Sequence, residues 1–491
     1  MSKATSVFLV FFISLLVGCS GGMSSPNQPV TPNMVQASLT IHDSPPMGVT
    51  VVSFDINVTG AELQPSTSNS SQQPVSMLSE AEDIELEHLQ TQSALLASKS
   101  VPTGTYSSLM VSFANPHMTI QNQTSGALML GGQSCMPQQI CEFNPKLNQS
   151  SVTLQGSGSP FPLTLTMNSP VVLKMDFNVD TSVQNDLSIT PTVSVVEVPT
   201  SNSGGQQDDE DVEVVGTITA ITQPTFMVQS GMSGPSFTFT TDSNTQFDFG
   251  TSCSTNNFMC LMTGQIVEVE AKMQPDGSLL ASEVKLFQPP KGISFAGTIT
   301  KVISATSFQI VLFDEEPFGG EMGSLSMGTS LTINLATPTT FSIDNGGLMI
   351  PPGLTFAAPS DLLVGQKVRL HPTGAPTGMP PNVMITVDQV QLEPSEVTGT
   401  ITATNSSSTP PTFTLGKLPP FFTNAGITSI QVDVLSTTHV ETEEDQMMSG
   451  LSSLNTGDAV SVRGLLFNTM TTPTMVAEKV VKRSMSSGTS D

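Results

Sequence analysis

The chain has 491 residues and a formal net charge of −26, because 41 Asp and Glu outnumber 15 Lys and Arg. This length predicts about three domains. Charged residues are only 11% of the chain and hydrophobic residues are 37%. With glycine added, the apolar share is normal for a folding chain and excludes wholesale disorder. Trp is absent and Tyr106 is the single Tyr, so a basic nucleic-acid reader that stacks bases on aromatic rings is excluded.

The N-terminus has the organisation of a secretory signal, which we assign to residues 1–18. Lys3 supplies the positive charge, and residues 7–17 form an apolar run shorter than the roughly 20 residues of a membrane-spanning helix. The run ends in Leu-Val-Gly-Cys, which resembles the lipobox of bacterial lipoproteins, with Cys19 as the lipid acceptor. We favour this interpretation over a buried core helix because a flexible tether rich in Ser, Gly and Pro follows, at residues 19–35.

The lipobox resemblance has consequences for location. It implies several acyl chains on Cys19, and two or more chains hold a protein stably on a membrane. Ser20 rather than Asp follows the cysteine, which in such lipoproteins implies sorting to the outer membrane. We therefore expect a bacterial outer-membrane protein, periplasmic or surface-exposed, that is anchored to the membrane through Cys19.

The other four cysteines form two local pairs, Cys135 with Cys141 and Cys253 with Cys260. In an exported protein these pairs predict two loop-closing disulfides, each stabilising the fold by about 2 kcal/mol. Zinc ligation is the rival interpretation, but neither pair has C-x-x-C spacing and no His lies near in the sequence. Free thiols are the remaining alternative.

Residues 36–200 contain short segments of alternating apolar and polar residues, separated by turn residues, which predict an antiparallel β-sandwich. Residues 80–97 offer the one plausible helix, although strand, turn, strand also fits, and we favour strands. The region resembles the bacterial lipoprotein family called domain of unknown function 4382. The resemblance rests on SLTIHDSPP (38–46), VVSFDINVTGAEL (51–63), VPTGTYSSLMVSF (101–113) and VLKMDFNVD (172–180). That family has no established chemistry, so the resemblance implies architecture and location only.

An acidic linker, residues 201–211, separates this region from three internal repeats. We prefer a linker to a calcium loop because the segment lacks alternating Asp or Asn ligands and a central Gly. The repeats each begin with Gly-Thr-Ile-Thr, at 216–219, 297–300 and 399–402. They predict units at 212–288, 292–393 and 395–483, before a tail at 484–491.

Each repeat contains about five predicted strands and a glycine inside the first of them. A glycine in a strand often marks a bulge or a bend at a barrel corner, so the repeats predict three small closed barrels. The block of repeats resembles the family called domain of unknown function 5666, and the resemblance implies that the units are OB-like. The first repeat matches best, through GTITAITQPTFMVQ and GQIVEVEAKMQPDGSLLASEVKL. The predicted fold class is therefore all-β, an N-terminal antiparallel sandwich followed by three OB-like barrels.

No motif of a known catalytic site occurs in the sequence. The histidines are isolated from one another, at His42, His88, His117, His371 and His439. Paired carboxylates occur at Glu315–Glu316 and Glu441–Asp445, which we place in loops, and the chain has few of the aromatic residues that sugar-cleaving enzymes use as platforms. We predict no catalytic residue, no metal site and no cofactor.

The function that this sequence favours is a non-enzymatic, lipid-anchored modular envelope protein with a structural or binding role. The alternative is a surface lipoprotein that binds glycan or cell wall, which an exposed patch of Phe on one barrel face would favour. A hydrolase whose Ser, His and carboxylate meet only in space is the less favoured alternative. The expected partners are the membrane, through Cys19, and a glycan or protein ligand. Nucleic acid is not expected, because phosphate binding relies on Lys and Arg.

Overall fold

The computed structural model describes most of the chain beyond the N-terminal segment. The described residues are 33–43, 51–66, 73–89, 91, 93–198, 211–230, 234–249, 253, 255–274, 276–286, 294–316, 325–345, 348–378, 382–442, 448–469 and 471–483. The predicted signal peptide, Cys19, most of the tether and linker, and the whole tail lie outside them. No helix in the described ranges has both the length and the apolar character needed to cross a membrane.

The N-terminal region is a two-sheet sandwich. Its strands are β1 (Met34–Asp43), β2 (Val51–Pro65), β3 (Val75–Ser76), β4 (Glu82–Glu85), β5 (Ser93–Pro102), β6 (Gly104–Gln121), β7 (Leu128–Leu130), β8 (Gln133–Cys135), β9 (Ile140–Phe143), β10 (Ser151–Leu154), β11 (Leu163–Leu165), β12 (Val171–Phe177) and β13 (Val193–Val198), with the short helix α1 (Val179–Ser182) after β12. One sheet runs β13-β12-β1-β5, and the other is built on β2 and β6. The pairing is antiparallel except between β1 and β12, which run parallel.

The sandwich core follows from the alternating pattern of the strands. Phe54 on β2 and Phe113 on β6 both meet Phe177 on β12 edge to face, with ring centroids 5.7 and 5.4 Å apart. Such pairs add about 1 kcal/mol beyond the area that they bury. Tyr106 is fully buried and donates its hydroxyl to the Pro102 carbonyl at 2.8 Å, so its polar atom is satisfied inside the core.

Residues 80–97, where helix and strand both fitted the sequence, form strands in the structure. β4 is followed by a 3₁₀ turn at Leu86–His88, and β5 begins at Ser93. Both predicted disulfides are present in the structure. Cys135 of β8 is bonded to Cys141 of β9, and Cys253 is bonded to Cys260, with Cα atoms 6.0 and 5.8 Å apart. Their sulfur atoms are therefore not available as zinc ligands.

The three repeats follow in order along the chain, and we call them barrels 1, 2 and 3. Barrel 1 comprises β14 (Asp211–Thr222), β15 (Thr225–Ser230), β16 (Ser236–Thr240), β17 (Gln246–Asp248), β18 (Ile266–Met273) and β19 (Leu279–Leu286). Barrel 2 comprises β20 (Ser294–Ser304), β21 (Ser307–Glu316), β22 (Ser330–Ile343), β23 (Lys367–Pro372) and β24 (Val383–Glu393). Barrel 3 comprises β25 (Ser395–Asn405), β26 (Thr412–Gly416), α2 (Pro420–Asn424), β27 (Ile430–Thr442), β28 (Ala459–Phe467) and β29 (Thr474–Lys482).

Barrels 2 and 3 close through the same strand order, β20-β21-β22-β24-β23 and β25-β26-β27-β29-β28. The pairings of barrel 1 complete the same ring, β14-β15-β16-β19-β18 and back to β14. Barrel 1 differs because β14 also pairs in parallel with β5, at Val212 with Ser93 and Glu213 with Ala94. Its sheet is therefore continuous with one sheet of the sandwich.

The glycine that opens each repeat motif lies where strand one bends against strand two. A Cβ at Gly216 would lie 2.1 Å from the Gln229 carbonyl oxygen, and one at Gly297 would lie 2.6 Å from that of Val311. At Gly399 the corresponding distance, to the Gly416 oxygen, is 2.7 Å. No side chain fits at such distances, which confirms that these glycines allow a close approach of the two backbones.

The loop prediction is wrong for Glu315–Glu316 and for Glu441, whereas the other acidic residues of Glu441–Asp445 lie outside the described residues. Glu315–Glu316 belongs to β21, and Glu441 belongs to β27, where it is 6% exposed. Glu441 pairs with Lys479 on the adjacent strand β29, with Glu441 Oε1 2.8 Å from Lys479 Nζ. The sequence suggested a loop because charged residues cluster there, but the cross-strand ion pair allows Glu441 to remain inside a sheet.

Candidate functional site

The candidate site begins with the outward-facing residues of barrel 1. On β18, Val267, Val269 and Ala271 point into the barrel core, so Glu268 and Glu270 point outward. The strand register places Glu270 opposite Glu213 on β14 and opposite Glu283 on β19. These side chains face barrels 2 and 3. The alternation of apolar and charged residues, which is typical of a strand with one face in water, here places the charged face at an interface between domains.

The three barrels contribute charged side chains to one cavity of about 70 Å³. We call its ionisable lining the charged junction, which comprises Glu213, Glu268, Glu270, Glu283, Lys285, Asp344, Lys367, Arg369, Glu393, Arg463 and Glu478. Seven carboxylates therefore face four basic groups. A volume of this size has room for a few water molecules or one small ion.

Arg463 of barrel 3 is the residue that connects the junction to barrel 1. Its Nε lies 3.1 Å from Glu478 Oε2, and its Nη2 lies 3.8 Å from Glu213 Oε2 and 4.0 Å from Glu270 Oε1. The Arg463 side chain is only 10% exposed. A planar guanidinium with several donors suits this position, because it reaches carboxylates on two sides at once.

Barrels 1 and 2 supply the other basic groups, Lys285 from barrel 1 and Lys367 and Arg369 from barrel 2. Lys285 of barrel 1 pairs with Asp344, which follows β22, and this contact joins barrels 1 and 2. Arg369 pairs with Glu393 inside barrel 2, where Arg369 Nη2 also approaches Glu393 Oε2 at 3.5 Å. Lys367 Nζ lies 4.0 Å from the same Glu393 Oε2 and 4.5 Å from the centroid of the Phe313 ring. Each basic group therefore has an acidic partner.

The surroundings raise the pKa of some carboxylates in the junction and lower the pKa of others. Burial raises the pKa of Glu270 to about 8, and burial raises the pKa of Glu283 to about 7. Burial and the nearby Glu268 also raise the pKa of Glu213. For Glu268, burial raises the pKa, but Lys285 and Arg463 lower it by more, so it lies below its usual range. The pKa of Glu393 is lowered in the same way by Arg369, Lys367 and Lys285.

Three of these carboxylates stand unusually close together. Oxygen atoms of Glu213, Glu268 and Glu270 all lie within 4.8 Å of one another. The Arg463 guanidinium lies beside Glu213 and Glu270 and supplies positive charge there, so we assign no metal site to this group. The arrangement is an ion-pair network with excess carboxylate, and chemically it takes up or releases protons.

The hydrolase alternative requires a histidine that contacts both a carboxylate and a serine. Within the described residues, no histidine joins two other ligand-type side chains closely enough to share an ion. His371 Nδ1 lies 2.7 Å from Asp388 Oδ1, a His–carboxylate pair like that of serine hydrolases. Ser294 at the start of neighbouring β20 is 1% exposed, and its Oγ makes no hydrogen bond. An activated serine is hydrogen-bonded to its base, so Ser294 does not complete a triad.

The sequence-predicted site residues and the charged junction are different sets. The disulfide cysteines lie outside the junction, and Cys19 lies outside the described residues. The junction was missed because its members come from seven strands and the residue after β22, and because its basic groups come from all three barrels. The one signal in the sequence was the Glu268–Glu270 alternation on a strand with apolar inward positions.

Two parts of the chain match known protein families. Residues 35–191 match the family model of a domain of unknown function, DUF4382. Residues 215–285 match that of a second domain of unknown function, DUF5666. Both resemblances are thereby confirmed at the predicted positions, the DUF4382 region in the sandwich and the DUF5666 region in barrel 1. Neither family name carries an activity.

Comparison with curated proteins gives no match. Among solved structures, a chain described as drosophila Unr CSD456 aligns with 56% of this chain and 98% of its own length, at 10% identity. The TM-score of that alignment is 0.13, so it supports no argument about fold or function.

Proposed function

We propose that the protein is a lipid-anchored, non-catalytic scaffold of the bacterial cell envelope, in which the sandwich and the three barrels form one assembly. The observation that carries this proposal is the charged junction, where side chains from all three barrels meet in one cavity. Barrels strung on flexible linkers would instead expose their outward strand residues to water.

Contacts between the sandwich and the barrels support the same conclusion. Thr119 Oγ1 of β6 donates to the Gly328 carbonyl of barrel 2 at 2.5 Å, and Asn424 of barrel 3 donates to Gln121 Oε1 at 3.0 Å. Leu95, Val172 and Val198 of the sandwich pack into the apolar cluster of barrel 1. Each barrel therefore touches the sandwich as well as its neighbouring barrels.

The envelope location rests on two supports. The first is the lipobox ending in Cys19. The second is the pair of disulfides, because stable disulfides belong to oxidising compartments such as the periplasm and cell surface. The glycan-binding alternative has less support, since the exposed large apolar side chains in the described part of the chain are Met, Val and Ile and include no Phe.

Replacing the lipid acceptor tests the anchor. We expect Cys19→Ala to move the protein from the membrane pellet to the soluble fraction in a diderm bacterium, because the acyl chains have no other attachment point. Ser20→Ala is the matched control, since it leaves the acceptor intact and should stay with the membranes. Protease added to whole cells then reports which side of the outer membrane carries the protein. Identical fractionation of Cys19→Ala and wild type would reject the lipid anchor.

A further inference from the structure

The two seams of the barrel assembly have opposite chemistry. Barrels 2 and 3 meet through an apolar seam, where Leu465, Phe467 and Val476 of barrel 3 join the core cluster of barrel 2. Gln366 of barrel 2, which is fully buried, donates to the Leu466 carbonyl at 2.9 Å. Barrel 1 meets this pair through the charged junction. Changes in charge at the junction therefore act on the docking of barrel 1 and leave the apolar seam intact.

The surroundings of Glu270 in that junction are unfavourable for a charged carboxylate. The charged groups that face it are Glu213 on β14, Glu268 on β18, Glu283 on β19, Arg463 on β28 and Glu478 on β29. Arg463 is the basic group that contacts Glu270, whereas Lys285, Lys367 and Arg369 of the same cavity pair with Asp344 and Glu393. The carboxylates around Glu270 therefore disfavour its charged form, because like charges at short range repel each other.

We propose that the charged junction is a pH-sensitive joint, in which Glu270 holds a proton while barrel 1 is docked and the joint loosens when that proton is lost. The inference is independent of the lipid anchor and of any ligand. A pH-sensitive joint would explain why barrel 1 places more carboxylates at this interface than its basic partners can neutralise.

The direction of the effect follows from proton linkage. Burial raises the pKa of Glu270 from its usual value to about 8 in the docked state, and opening returns it towards 4.5. Between these values the docked state binds more protons than the open state. Docking is therefore strongest on the acid side and weakens as the pH rises towards 8. Below about pH 4.5 the stabilisation from the ionised Glu268, whose pKa is lowered by Lys285 and Arg463, begins to decline, and it is lost as the pH falls through that lowered pKa, which sets the acid limit of docking.

Amide hydrogen exchange of the full chain tests the proposal without requiring global unfolding. We expect peptides from β18 to lose protection as the pH rises from 5.5 to 8, after correction for the intrinsic exchange rate. The loss should be up to about tenfold per pH unit for each proton released, and Glu270 supplies one of these protons. Peptides from β12 in the sandwich serve as the internal reference. Buffers contain EDTA, so that a bound divalent cation does not take the place of the proton.

Glu270→Gln should reduce this pH dependence by the share that the Glu270 proton contributes, because the amide keeps the shape and stays neutral, while Glu283 and Glu213, whose pKa values are also raised, remain. Glu197→Gln, at an exposed position of β13, is the matched control and should retain the wild-type slope. Protection of β18 that does not change with pH in the wild-type protein would overturn the proposal. So would a full slope in Glu270→Gln, or a slope that appears only when EDTA is omitted, which would identify a cation rather than a proton as the agent.

Discussion

Arg463→Met should lower the free energy of unfolding of the full chain by about 2 to 3 kcal/mol. The substitution keeps much of the apolar stem but removes the guanidinium that contacts Glu213, Glu270 and Glu478. Removing one partner of a buried ion pair typically costs 3–5 kcal/mol, because the remaining charges stay buried and unpaired. We take a value below that range because the three glutamates are 25–31% exposed. Urea unfolding followed by far-UV circular dichroism measures the change.

Two further variants make this result specific. Lys301→Met removes a positive charge at an exposed position of β20 and should change stability by less than about 0.5 kcal/mol. Arg463→Lys keeps the charge but lacks the planar fork, so we expect an intermediate loss. Equal effects of Arg463→Met and Lys301→Met would show that Arg463 does not hold the junction together.

Gly365→Ala should be the most damaging single methyl addition at the seam between barrels 2 and 3, costing about 3 kcal/mol. Gly365 has φ +89°, and a Cβ there would lie 2.2 and 2.3 Å from two ring carbons of Phe422. Phe422 is fully buried in α2 of barrel 3, so its ring has no free space to move into. Left-handed strain contributes about 1–2 kcal/mol and overpacking a further 1–3 kcal/mol.

The internal repeats supply matched controls for this variant. Gly264 in barrel 1 and Gly457 in barrel 3 occupy the equivalent position, with φ +88° and +100°, and nothing lies within 4 Å of a Cβ at either. Gly264→Ala and Gly457→Ala therefore introduce the strain of a left-handed backbone without a steric clash. Each should lower the free energy of unfolding by about 1 kcal/mol. If all three variants have the same midpoint in urea, the packing of Phe422 against Gly365 is not a stabilising contact.

Much of the fold could be predicted because its determinants are local. Strand alternation and turn residues defined the sandwich, and Gly-Thr-Ile-Thr at three places defined the barrels. The glycine of that motif is required by backbone approach within one hairpin, at Gly216 for example, so it recurs in every repeat. The short spacing of each cysteine pair likewise indicated its disulfide partner.

Features that depend on distant segments could not be predicted in this way. The parallel pairing of β1 with β12 joins residues more than a hundred positions apart, and no local pattern distinguishes it from an antiparallel pair. The same holds for β14, whose pairing with β5 merges barrel 1 with the sandwich sheet. Both pairings depend on how the domains pack.

The charged junction is the clearest example of a feature that the sequence alone could not predict. Glu268 and Glu270 alternate with buried valines, which is the pattern of a strand with one face in water. Their counter-charge Arg463 lies in another barrel, and nothing near either glutamate in the sequence indicates it. Charged residues on an outward face have the same sequence pattern whether that face meets solvent or a neighbouring domain.

The central claim, that barrel 1 is docked on barrels 2 and 3 through the charged junction, is tested most directly by zero-length cross-linking. A carbodiimide joins a lysine to a carboxylate only when the two are in contact, and Lys285 pairs with Asp344 across barrels 1 and 2. Lys482 and Asp458, 2.9 Å apart within barrel 3, provide the internal control. We expect mass spectrometry of the digested full chain to recover both cross-linked peptides. Recovery of the Lys482–Asp458 product without the Lys285–Asp344 product would contradict the docked arrangement.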